Sequence, residues 1–143
     1  MRSASPAFAP DPDDPERWCT TAPIDVGRWR AIDVATEDGP PGPEFVAWLE
    51  HLAARTDALH LAVAEELLVH FDREHFLGLG VDASVLPDER AESMAEAFGV
   101  LSIEVEDMES DAFELELDLA WDDEHLVTVL VVDGEVESAS FDG

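Results

Sequence analysis

The densest group of side chains able to do chemistry is Asp122, Asp123, Glu124 and His125, directly after Trp121. Oxygen and imidazole donors so close together can bind a divalent cation, with Asp122, Glu124 and His125 as the ligands. A His beside a carboxylate can also move protons, which gives a hydrolytic reading of the same residues. The spacing matches neither a closed zinc pattern nor an EF-hand loop, which needs a fixed order of oxygens and a central Gly. Asp also favours turns for a backbone reason, because its side chain bonds the chain locally. A second set is Glu114, Glu116 and Asp118, at alternate positions of a strand pattern. Such residues stand roughly 6.6–6.8 Å apart on one face, a row of negative charge suited to Arg and Lys of a partner. The same row also fits the wet face of a half-buried sheet. Glu66, His70 and Glu74 form a third set, at i, i+4 and i+8, where helix-surface pairing accounts for them. His70 and His75 are five apart, unlike a metal helix, and no pair of Glu-x-x-His segments is present. The sequence holds no Gly-x-Ser-x-Gly, no Ser-x-x-Lys and no Gly-rich phosphate loop. All seven basic residues are Arg, so Schiff-base chemistry has no lysine. Cys19 has no His near it in sequence, and no cofactor is expected.

The elements that would position these groups follow from periodicity. Phe113, Leu115, Leu117, Leu119 and Trp121 alternate with the carboxylates, which predicts a strand with one apolar face. Leu126 to Val132 is apolar on both faces and predicts a strand inside the sheet. Asp133-Gly134 predicts a two-residue hairpin turn, with Glu135 to Phe141 returning as a strand. The 122–125 group is then expected as the turn between the first two of these strands. Upstream, Leu101, Ile103 and Val105 alternate with Ser102, Glu104 and Glu106, a further strand. Phe45, Trp48, Leu49 and Leu52 form a helical stripe opened by Pro43. A second helix is expected from Thr56 or Asp57 to about Phe76, and a third from Pro87, with Ala91, Met94, Ala95 and Phe98 on one face and Gly99 ending it. Arg30 to Val34 suggests an early strand, with Trp18 and Trp29 buried against the sheet. Arg17, Arg28 and Arg30 either neutralise acidic neighbours or form an anion site. The order predicts an α+β fold, with two or three helices on one face of an antiparallel sheet of four to six strands ending in a C-terminal β-meander. Residues 1–16 are expected as a Pro-rich flexible tail and 17–143 as a single α+β domain.

Composition narrows the function classes. Hydrophobic residues make up 46% of the chain, enough to form a core. Thirty-five acidic residues against seven Arg give a net charge of −28. Such a surface repels nucleic acid and anionic membrane and attracts a basic protein. Adaptation to a salty cytoplasm explains the same charge without any site. No run of about 18 apolar residues predicts a membrane span. A lone cysteine and the lack of a signal-like apolar stretch in the first residues suggest the cytoplasm.

The strand, the run Trp121-Asp122-Asp123-Glu124-His125 and the following strand resemble a family of small bacterial domains of unknown function that end in strand, Trp-Asp-Glu-Glu-His-Gly turn and strand. Trp121, Asp122, Glu124 and His125 match that motif; Asp123 stands where Glu is usual, and Leu126 replaces the Gly. Pro43 to His75, Pro87 to Phe98 and Leu101 to Val136 follow the family's order of elements, about 100 residues in all. The resemblance implies an immunity-type binding protein rather than an enzyme. The expected function is therefore non-catalytic binding of a basic protein, such as a toxin, through Glu114, Glu116, Asp118, Asp122, Asp123 and Glu124. The alternatives are the metal-binding or hydrolytic centre at 122–125 and a salt-adapted surface that is not a site.

Overall fold

The computed structural model describes residues 7–37 and 39–142, the side chains of 123–125 and 142 excepted. Four strands come first: β1 (Phe8–Asp11), β2 (Asp14–Thr20), β3 (Ile24–Val26) and β4 (Trp29–Thr36). Four helices follow: α1 (Pro43–Ala53), α2 (Thr56–Val69), α3 (Arg73–Gly78) and α4 (Ala91–Glu96), with a 3-10 turn at Ala83–Val85. The chain then forms β5 (Phe98–Asp107), β6 (Ala112–Leu119), β7 (Asp122–Val132) and β8 (Glu135–Asp142). The eight strands make one sheet in the order β1-β2-β4-β5-β6-β7-β8, with β3 paired to β4. The fold is α+β, as the order of sequence patterns predicts.

All neighbours are antiparallel except β4 and β5, which run parallel from Asp33↔Ser102 to Thr36↔Val105. Parallel neighbours need a long crossover, and here it contains every helix. The helices therefore gather on one face. Their apolar side chains, Phe45, Leu49 and Leu52 from α1, Leu59, Val63 and Leu67 from α2, and Met94 from α4, are buried in one core. From the sheet that core takes Ile32 and Val34, Ile103 and Val105, Phe113 to Leu119 at alternate positions, and Val127, Val129 and Val131. The period-two pattern of β6 is thus the reason one sheet face is apolar and the other is not. Asp133 and Gly134, with φ of 54° and 78°, close β7 onto β8 in the predicted turn.

Several expectations are corrected. The described part of the expected tail, from Phe8 on, belongs to a paired hairpin, β1 on β2, whose Phe8 ring meets Phe45 edge-on at 5.5 Å. This hairpin and β3 bring the sheet to eight strands rather than four to six. The expected second helix breaks after Val69, because the Asp72 carboxylate accepts from the Glu74 and His75 amides and starts α3. His70 consequently caps the end of α2 and does not extend its buried stripe. The third helix starts at Ala91, not Pro87, and Phe98 and Gly99 belong to β5. Trp29 is buried and Trp18 half-buried.

The β3–β4 turn is clamped onto the junction of α1 and α2. Thr56 Oγ1 accepts from the Arg28 amide at 2.9 Å and donates to the Ala53 carbonyl at 3.1 Å. Gly27 between them has φ of 57°, and a β-carbon there would overlap both the Thr56 hydroxyl and the Ala53 carbonyl. Gly27→Ala is expected to destabilise the fold by about 2 kcal/mol or more, measured as a lower denaturant midpoint at unchanged slope. A midpoint equal to that of the parent would contradict this clamp.

Candidate functional site

With every helix on one side, the second face of the sheet carries no covering element among the described residues. Its side chains are the alternates of the core positions. Across the centre they run Cys19, Ala35, Glu104, Glu114, Leu130 and Ser138, and beside them Asp33, Ser102, Glu116, Thr128 and Ser140. Glu114, Glu116 and Asp118 all lie on this face, as the alternation predicts. Glu104 on β5 stands directly opposite Glu114, and Glu106 follows at a register shift in the same strand. Strand reasoning assigns Glu104 and Glu106 to the polar face but does not bring them into the site; the β5–β6 register does.

This crowding changes the charge of the row. The Glu114 carboxyl is pushed up to about 7, first by a hydrogen bond shared with Glu106, then by partial burial and by the negative charges of Glu106 and Glu104. Near neutral pH Glu114 is therefore partly protonated. The expected uniform line of charge is instead a row with one protonation-sensitive member.

At the other end of the face Arg17 compensates Glu104. Its guanidinium donates to both Glu104 carboxylate oxygens at 2.8–3.2 Å and to Asp11 at 2.7 Å. The link crosses β4, which lies between β2 and β5 in the sheet. Arg28 and Arg30 likewise meet Asp57 and Asp25 at 3.6 and 3.3 Å. The three arginines neutralise acidic neighbours, the first of the two accounts that composition left open. Beside Arg17 a cleft of about 320 Å³ opens between Thr20, Asp33, Ser102 and Glu104. It forms where β2 leaves β4, and the Val34 amide there donates to the Thr20 hydroxyl at 3.1 Å. Burial pushes the Cys19 thiol in this cleft up, against the opposing effect of Arg17. A second hollow of about 370 Å³ lies under the loop 39–43 beside Phe45 and Met108.

The 122–125 group is not the predicted turn. Ala120 and Trp121 make the reversal, Leu119 pairs with Asp122, and residues 122–125 are the first of β7. Trp121 is drawn towards the ring of Phe71 at 5.1 Å and that of Phe76 at 6.1 Å, which places the bend before the acidic run. The side chains of Asp123, Glu124 and His125 lie outside the described residues. Among the described residues no group of three or more His, Cys, Asp or Glu is arranged around a metal position. His70 Nε2 meets Glu66 at 3.1 Å, the helix pair expected from spacing.

One buried polar residue escaped the pattern reading. His60 on α2 accepts from Trp29 Nε1 at Nδ1 (3.0 Å) and donates from Nε2 to the Ala95 carbonyl (2.7 Å). Its ring stacks on Phe98 at 4.2 Å. It shares a helical stripe with Val63, Ala64 and Leu67, at i, i+3, i+4 and i+7, and that spacing was the available signal. With both nitrogens engaged in the neutral form, burial pushes its pKa down. The group ties β4, α2 and α4 together, and it lies on the helix side, away from the open face.

Comparison with family models, with curated proteins and with solved structures finds no match for this chain. The functional reading therefore rests on the geometry of the open face.

Two pH effects of opposite sign follow. The depressed His60 pKa means the unfolded chain binds a proton more readily, so its contribution is complete above about pH 6.5 and is lost as pH falls below that value. Replacing it by Ala should cost about 2–4 kcal/mol and flatten this acid-side slope in chemical denaturation, since two partners and a stacked ring are lost. Glu114 acts in reverse. Its raised pKa favours the fold at low pH and loses that contribution as pH rises from about 4.5 to 7. Glu114→Gln should raise stability at pH 8 by up to about 1 kcal/mol, screening by solvent having reduced the effect. A destabilised Glu114→Gln protein at pH 8 would refute the carboxylate crowding.

Proposed function

We propose that this chain is a non-catalytic binding protein whose open, acidic sheet face takes up a basic partner protein, in the manner of an immunity protein that neutralises a cationic toxin. The supporting observation is the convergence of Glu104, Glu106, Glu114, Glu116 and Asp118 on a sheet face that no helix among the described residues covers. Guanidinium or ammonium groups laid across it would relieve the repulsion that keeps Glu114 partly protonated. Binding a cation thus releases a proton, and affinity rises as pH passes upward through about 7. The face extends across neighbouring strands from β2 to β8, an expanse suited to a protein surface. Among the described residues no helix is long and apolar enough to cross a membrane.

The reading is tested by calorimetric titration with an Arg-rich polypeptide. Combined Glu114→Lys, Glu116→Lys and Asp118→Lys is expected to weaken binding at least tenfold, about 1.4 kcal/mol. An equal reversal on the helix side, at Glu44, Glu65 and Glu92, should have a much smaller effect. The difference should shrink in molar salt. Equal losses from the two triple variants would mean that net charge alone is responsible and would remove the face as the site.

A further inference from the structure

An edge strand offers unpaired backbone N–H and C=O groups to another chain unless it is guarded. The two edges of this sheet differ in that respect. β1 is four residues long, includes Pro10, and has a register shift between Pro10 and Asp11. β8 is eight residues long, Glu-Val-Glu-Ser-Ala-Ser-Phe-Asp, without Pro, Gly or Lys. Among the described residues it pairs on one side only, with β7; the register shifts between Leu130 and Val131, and from Leu126↔Asp142 to Leu130↔Ser138 it is unbroken, so 138–142 is the regular stretch of this edge. We infer that the outer edge of β8 is a docking site for a β-strand of a basic partner, a strand alternating cationic and apolar residues. This deepens the proposed function and rests on it, naming the element by which the partner attaches.

The register specifies the two faces of such a strand. Ala139 and Phe141 lie opposite the buried Val129 and Val127, so they belong to the helix side. Phe141 is nevertheless 45% exposed, with the His70 ring edge-on to it at 5.4 Å. Apolar side chains of an added strand would cover Phe141 and continue the core layer outward. Ser138 and Ser140 point to the open side, where their small size leaves room for long basic side chains. Charge selects the occupant. A second copy would bring its own net charge of −28, with its Glu135 and Glu137, to the same edge. A cationic strand meets complementary charge instead.

The test uses the whole protein and a capped peptide, Arg-Val-Arg-Val-Arg-Val-Arg-Val, beside the same peptide with every amide N-methylated. Both carry the same charge, but only the first can pair along an edge. The expected result is binding of the parent peptide, at least tenfold weaker binding of the methylated one, and slowed hydrogen exchange at alternate β8 amides. Equal binding of the two peptides would overturn edge docking while leaving the acidic face in place. No binding of either at millimolar peptide would overturn it as well, and the Arg-rich polypeptide titration would report separately on the face. Sedimentation showing a dimer of the free protein with β8 amides protected would overturn the choice of a basic partner as occupant.

Discussion

The parallel pairing of β4 with β5 is the constraint on which the other features depend. A hairpin cannot join parallel neighbours, so the chain must travel over one face of the sheet before returning. In this protein that journey takes in all four helices, and their apolar stripes meet the inward positions of β4 to β7. The same event leaves the opposite face without a cover. The His60 group stabilises the arrangement at one point, since it links the indole of β4, the second helix and the carbonyl of Ala95 at the end of the fourth helix. Gly27 does so at another, letting the β3–β4 turn approach the helix junction closely.

An uncovered sheet face must be polar, and in a chain with 35 acidic residues it becomes crowded with carboxylates. Neighbouring strands stand about 4.8 Å apart, so acidic residues in register repel strongly. The protein answers in two ways. Arg17 reaches across β4 to Glu104, and the Glu114 carboxyl, beside Glu106, is held partly protonated. Both answers leave the face sensitive to any cation that arrives.

The alternation of β6 located its strand, its buried face and three of the acidic residues, because a period of two admits a single division of the side chains. The Asp133-Gly134 turn was equally legible, since few residue pairs tolerate positive φ twice in succession. The helix stripe also contained His60, at a spacing shared with Val63 and Leu67, but a polar residue in an apolar stripe has no predictable partner until the chain is folded. The bend at Ala120-Trp121 was placed too late, among the acidic residues. Turn chemistry favours Asp, and here the pull of Trp121 towards Phe71 and Phe76 prevailed. The Pro-rich start suggested a tail, yet Phe8 gained a site against Phe45, a contact between segments far apart in the chain.

What the sequence determined by itself was therefore local: the strands and helices with strong periodicity, the class of fold, the acidic character and the polar identity of one sheet face. These follow from side-chain spacing and backbone preference, which act over a few residues. Tertiary structure decided which face was left open, which carboxylates came to lie side by side, and which strands became the edges of the sheet. Those outcomes depend on strand order and register, set by packing among distant segments, and no short-range pattern specifies them.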